Sequence, residues 1–229
     1  MNGTVPQGRT LTLASGSPRR RRLIEAIDMP IRIVGSGNDE PLPYSVESPQ
    51  AYVQRLALIK ARHGLAQAQA ELALGADTSV VIDRYILGKP TDAAEATRML
   101  RRLRGRSHSV VTGIALADAA TGVELTSAKV SRVHMREYTD EEIAAYVESG
   151  EPFDKAGAYA VQDRRFKPAS RIYGCYRNTV GLPLCDVLTL LERIGTPATF
   201  KQGWTAPRGC PDCDRWHSIT SREAEVNRL

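Results

Sequence analysis

The sequence has no stretch long and apolar enough to cross a bilayer: its longest uncharged apolar runs, such as 110–117, fall far short of the roughly 20 residues a spanning helix needs. An integral membrane protein is therefore not expected. The first ten residues hold a single arginine, and the apolar segment Leu11–Ala14 is too short for the core of a signal peptide, so cytoplasmic residence is the expectation. Aromatic residues make up only 6% and are not interleaved with the basic clusters, which argues against a base-stacking single-strand binder. His63, His108, His134 and His217 stand without a visible nucleophile partner, so a Ser-His-Asp hydrolase finds no support. No segment repeats at a fixed period, which sets aside solenoids and propellers.

What is present is an ordinary globular composition. With 229 residues, 42% hydrophobic and 25% charged, the chain can build one large domain or two small lobes sharing a cleft. A net charge of +5 allows a small polyanion, an acidic surface or a nucleic acid as partner. The arginines are dispersed, at 19–22, at Arg101, Arg102, Arg104 and Arg106, and at Arg164 and Arg165, so no single basic tail forms, and a nucleic-acid partner is not expected.

Short apolar runs alternate with amphipathic helical patterns, which points to an α/β domain. Leu11–Ala14 reads as a first strand, and Ser17 with Pro18 as the cap and first turn of a helix with Leu23, Ile24 and Ile27 inward. A second helix opens at Ser48 and Pro49, burying Tyr52, Val53, Leu56 and Ile59. Leu72–Ile82 reads as a strand interrupted by Gly75, and 92–103 as a helix stopped at Gly105. Strands follow at 110–117 and 123–133 around the turn Thr121-Gly122. Thr139 opens a helix with Glu142 in capping-box register, closed by Gly150, and 183–194 is a last helix ended by Gly195. The reading is a domain over 1–195 and an extension over 196–229 that stands outside the main core.

Four groups of residues carry candidate chemistry. Ser15-Gly16-Ser17-Pro18-Arg19-Arg20-Arg21-Arg22 places four cations in the first turns of a helix, against its dipole, at a cost of about 0.3 to 1 kcal/mol each when exposed. Either the serines, free N–H groups and some guanidiniums bind a phosphate chain, or the arginines form a solvated face. Gly75-Ala76-Asp77-Thr78, with Gly88-Lys89-Pro90 following, suits metal-assisted phosphoryl chemistry or a plain surface ion pair. Pro90 stands where a P-loop requires Ser or Thr, so a Walker A motif is excluded. Asp39-Glu40, with Lys60 on the next helix, could let a divalent ion bridge protein and phosphate, or be a solvated acidic loop. The segment 154–162, Asp154 and Lys155 through Gln162, offers small residues for close approach and an amide able to read a base edge, or is a buried turn.

Taken together in this order, the motifs resemble the Maf family of nucleotide pyrophosphatases, which is similar in fold to the inosine triphosphate pyrophosphatases. The resemblance is carried by Leu13-Ala14-Ser15-Gly16-Ser17-Pro18-Arg19-Arg20, Glu40, Leu56-Ala57 through Lys60-Ala61, Gly75-Ala76-Asp77-Thr78 and Ile86-Leu87-Gly88-Lys89-Pro90. It continues through Val111-Thr112-Gly113, Asp154-Lys155-Ala156-Gly157-Ala158-Tyr159 and Val180-Gly181-Leu182-Pro183, and covers about residues 11–195. It implies a twisted mixed sheet flanked by helices, two lobes with a central cleft, and a homodimer. It also implies hydrolysis of nucleoside triphosphates to the monophosphate and pyrophosphate with Mg²⁺ or Mn²⁺.

Carried over by residue, Asp77 is the expected proton acceptor, Glu40 a metal or water partner that shares the Mg²⁺ with Asp77, and Lys60 and Lys89 the phosphate neutralisers. Ser15 and Arg20 are expected to hold the phosphates. Arg19, Thr78 and Gln162 match the subgroup preferring dTTP and UTP, and Thr78 and Gln162 can donate and accept as the uracil edge requires. The chain departs from the family pattern at Ala160, at Asp163-Arg164-Arg165 and over 173–178, which implies a cleft rim of altered charge and broadened specificity. A second reading of the same pocket is a nucleotide-sensing regulatory module of cell division with little turnover.

The cysteines are Cys175, Cys185, Cys210 and Cys213. Cys210 and Cys213 have zinc-knuckle spacing, with His217 as a third ligand and Cys175, Cys185 or Asp214 needed for a fourth. Such a structural zinc in the extension stands beside reduced thiols as the plainer alternative.

Overall fold

The computed structural model describes residues 9–37 and 40–204. Its sheet holds seven strands: β1 (Leu11–Ala14), β2 (Ile31–Val34), β3 (Leu72–Ile82), β4 (Tyr85–Leu87), β5 (Ser107–Asp118), β6 (Glu124–Met135) and β7 (Ala169–Tyr173). Their order is β2-β1-β3-β5-β6-β7, with β4 bonded to the far end of β3. β1 runs parallel to both neighbours, and the other pairs are antiparallel. The helices are α1 (Pro18–Ile24), α2 (Pro49–Ala68), α3 (Ala93–Leu103), α4 (Asp140–Glu148), α5 (Tyr176–Val180) and α6 (Leu184–Arg193). Ser17 and Ser48 cap α1 and α2 ahead of a first-turn proline, and Thr139 with Glu142 closes a full capping box on α4.

The two-residue period of the long strands sorts side chains to two faces. On one face, Leu72, Leu74 and Ala76 of β3 and Ile114 and Leu116 of β5 pack with Ile24, Ile27 and the apolar side of α6 in a first core. Farther along that face, Val80, Ile82 and Val110 join α3, α4 and Phe166 in a second core. Between the two cores Thr78 stands opposite Thr112. This polar seam divides the sheet face into two lobes. The opposite face is covered by α2, which packs against Val111, Ala115 and Ala117. A Cβ on Gly75 would stand 2.0 Å from Ala57 O, and one on Gly113 2.3 Å from Val53 O. Gly75 therefore marks a contact between helix and strand, where the sequence suggested an interruption.

Three strands escape sequence reading: β2, β4 and β7, all short. The chain after Gly195 also departs from expectation. Residues 196–204 fold back on the first core, with Ile27 and Phe200 forming a bridge and Phe200, only 5% exposed, stacking on Trp204. The segment beyond Gly195 is thus part of the core as far as Trp204.

Candidate active site

The open edge of β3 creates the site. β1 pairs with β3 only as far as Gly75, and β4 takes up the same edge at Val80, so residues 76–79 have no strand partner on that side among the described residues. Asp77 and Thr78 point to opposite faces, yet both reach the gap. A cleft of about 450 Å³ opens there, and Ser15, Arg19, Arg20, Glu40, Lys60, Asp77, Thr78, Lys89 and Gln162 all line it. Five cationic side chains, Arg19, Arg20, Lys60, Lys89 and Lys155, face three carboxylates, Glu40, Asp77 and Asp154. A cleft with two positive charges in surplus is built for an anion.

The close approach of α2 at Gly75 and Gly113 brings Lys60 to Asp77. Lys60 Nζ donates to Asp77 Oδ1 at 2.6 Å and to Glu40 Oε1 at 2.9 Å, and Lys89 Nζ stands 3.7 Å from Glu40 Oε2. Lys60 is 3% exposed and Asp77 8%, so the ammonium and this carboxylate compensate one another out of water. Asp77 Oδ2 makes no bond among the described residues. Burial pushes the Glu40 carboxyl up, but the Lys60 hydrogen bond and the charges of Lys60, Lys89 and Arg20 outweigh it and hold Glu40 below its ordinary value. Asp39 lies outside the described residues.

At the start of α1 the four arginines divide. Arg21 and Arg22 are exposed, while Arg19 and Arg20 line the cleft. Arg20 Nε donates to Gly181 O at 2.8 Å and Nη2 to Thr78 Oγ1 at 2.9 Å. Burial lowers the Arg20 guanidinium from its ordinary value, against the opposing pull of Asp77. Arg19 Nη1 reaches Asp154 Oδ2 at 3.2 Å, joining α1 to the segment that follows α4. Ser15 is buried, and its hydroxyl accepts from the Ser17 N–H at 3.2 Å. The four arginines thus divide: one pair lines the cleft and the other is exposed.

The segment at 154–162 contributes several residues to the cleft lining. Asp154 lies at the cleft, Lys155 is buried with bonds to Asp154 Oδ1 (2.6 Å) and to the main-chain and side-chain oxygens of Glu151, and Gln162 is exposed on the rim. Arg164 and Arg165 are exposed, and neither lines the cleft. Sequence reasoning missed the buried polar chain beneath the seam, from Thr112 to Asn178 and Ser131. Neighbouring residues gave no signal for it, because its bonds join residues from 44 to 68 positions apart. Cys175 and Cys185 are buried, while Cys210, Cys213, Asp214 and His217 lie outside the described residues.

Glu40 and Asp77 are hard oxygen donors held together by one ammonium. Among the described residues no cluster of three or more His, Cys, Asp or Glu could hold a metal ion. The pair fits Mg²⁺ or Mn²⁺, which accept one or two carboxylates and complete their shell with water and phosphate.

Comparison with known proteins adds to this geometry. The family model described as "Maf-like protein" matches residues 10–194. A protein of Geobacter sp. (strain M21) named "dTTP/UTP pyrophosphatase" is 46% identical over 187 residues, 81% of this chain and 96% of that protein. Proteins of the same name from Syntrophotalea carbinolica (44% over 193 residues, 83% and 87%) and Thermomicrobium roseum (42% over 217 residues, 94% and 98%) are similar along most of their length.

Proposed function

The chain belongs to the Maf-like protein family, and from that premise we propose that it hydrolyses dTTP and UTP to the monophosphate and pyrophosphate. The observation that carries the proposal is Lys60 fixed between Asp77 and Glu40 in a cleft that Arg20 and Lys89 also enter. Arg19, Arg20 and Lys89 take the phosphate chain, with the Ser15–Ser17 turn beneath it. Asp77 Oδ2 receives the proton of a water as its oxygen attacks the α-phosphorus. The bond from that phosphorus to the α–β bridging oxygen breaks, and pyrophosphate leaves with the electron pair. Lys89 and Arg20 stabilise the charge that grows on the departing group. Lys60 contributes geometry, keeping Asp77 and Glu40 at one distance through the step. Glu40 and Asp77 would hold a Mg²⁺ or Mn²⁺ ion, which when bound neutralises phosphate oxygens.

Gln162 on the rim offers the donor and acceptor that a uracil or thymine edge requires. The arginines at 101, 102, 104 and 106 pair with Asp83 and Asp140, which supports a small anion over nucleic acid as the partner. The same reading carries a homodimer, as the family resemblance implies, and a cytoplasmic location; among the described residues no helix is long and apolar enough to cross a membrane.

The test is pyrophosphate release from a nucleotide panel with Mg²⁺. dTTP and UTP are expected to be cleaved fastest, and Asp77→Asn to lower the rate about a thousandfold while leaving the fold intact. Undiminished release by Asp77→Asn would remove Asp77 from its role, and tight binding without product would favour a nucleotide sensor.

A further inference from the structure

Beneath the cleft a buried hydrogen-bond chain leads away from Arg20, and we infer that Thr78 and Thr112 are positioning residues that hold Arg20 ready for a triphosphate. The inference rests on the phosphate role proposed above for Arg20.

Counting protons fixes the direction of the chain. Thr112 Oγ1 stands 3.0 Å from the main-chain carbonyl of Asn178, which can only accept, so the single hydroxyl proton of Thr112 lies there. In its 2.9 Å contact with Thr78, Thr112 must then accept, and the Thr78 proton points away from the cleft. Thr78 in turn accepts from Arg20 Nη2 at 2.9 Å. Each oxygen thus passes its proton inward, from guanidinium to hydroxyl to hydroxyl to carbonyl. In this arrangement the Thr78 hydroxyl proton is engaged by Thr112.

The second anchor of Arg20 ends on the same element. Nε donates to Gly181 O, and Gly181 caps α5 through N–H bonds to Arg177 O and Asn178 O. α5 is itself pinned to the sheet: Asn178, fully buried, donates from Nδ2 to Val110 O at 3.0 Å and to Ser131 Oγ at 2.9 Å, and Ser131 donates to Cys175 O. Both grips on Arg20 therefore close on one short bracket. The bracket supplies neutral oxygens, and no carboxylate is bonded to Arg20 among the described residues. An arginine held this way has its rotamer fixed while its charge stays available to an incoming anion. The nearby Asp77 charge acts on the guanidinium without a bond to it among the described residues.

Inorganic triphosphate, which has no base, reads the hold on Arg20 alone. Calorimetric titration of the full chain with triphosphate, beside thermal melts, is compared for wild type, Thr78→Val, Thr112→Val, Thr112→Ser and the double valine variant. Each valine variant is expected to weaken binding about tenfold, the double variant no more than either alone, and Thr112→Ser to bind like wild type. Wild-type triphosphate affinity in either valine variant would overturn the inference even if the melting temperature falls. If the variants lose triphosphate affinity but the wild type releases no pyrophosphate from any nucleotide, the pyrophosphatase reading fails and the bracket stands. If the wild type turns over and the variants bind normally, the bracket alone fails. A wild type that binds no triphosphate overturns both.

Discussion

Lys60 shows how one side chain can serve packing and chemistry together. A buried ammonium is tolerated only when its charge is met, and here Asp77 and Glu40 meet it within 2.9 Å. Replacing Lys60 by Met leaves the Asp77 carboxylate buried beside an apolar group. Lys60→Met is expected to lower both turnover and stability, the latter by about 3 kcal/mol, read in denaturant titrations; unchanged stability would show that water already screens the pair. His108 is a second buried titratable group. It donates to or accepts from the Tyr159 hydroxyl at 2.6 Å, and burial, with the neighbouring His134 adding to it, lowers its pKa to about 4. The native state therefore holds His108 neutral while the unfolded chain takes up a proton below its ordinary value near 6.5. Stability should be complete above that value and fall as pH drops toward 4, with about 2 kcal/mol lost at about pH 5. Unfolding titrations of wild type and His108→Gln would check this: the acid slope should shrink in the variant, and an equal slope would assign it to other groups.

At the scale of elements, α2 and β3 are set by two glycines. Gly75 and Gly113 let the helix backbone lie on the sheet, and this contact places Lys60 against Asp77. Gly75→Ala puts a methyl group 2.0 Å from Ala57 O, which can be relieved only by moving the helix. Destabilisation of about 3 kcal/mol and a fall in turnover of folded enzyme are expected, measured by chemical denaturation and initial rates. A stable variant with normal rates would mean that α2 can shift without disturbing the site. The long elements were legible in sequence because they bury continuous faces: α2, α4, β3, β5 and β6 all stand near their expected places. β2 and β7 were not, since both are sheet edges whose side chains are largely exposed and carry no alternation. The site divides in the same way. Asp77, Lys60 and Arg20 were recognisable from motifs in a fixed order, whereas Thr112 and Asn178 acquire their part from partners that only the folded sheet brings near.

At the scale of the molecule, two cores share one sheet, and the proposed catalytic groups sit where the polar seam between them meets the open edge of β3. The first core is closed by residues far along the chain. Phe200 fills it and Trp204 stacks over Phe200 with ring centroids 3.7 Å apart. Phe200→Ala is expected to cost about 3 kcal/mol, seen as a lowered thermal midpoint, with kcat/KM of the folded enzyme preserved because the cleft lies elsewhere. Loss of activity at full stability would instead tie this segment to the site.

The claim on which the rest depends is that the cleft directs water to the innermost phosphorus. Hydrolysis of dTTP in ¹⁸O-labelled water, with the products resolved by mass spectrometry, tests it directly. The account predicts one heavy oxygen in dTMP and none in pyrophosphate. Label in pyrophosphate, or release of dTDP and orthophosphate, would contradict it.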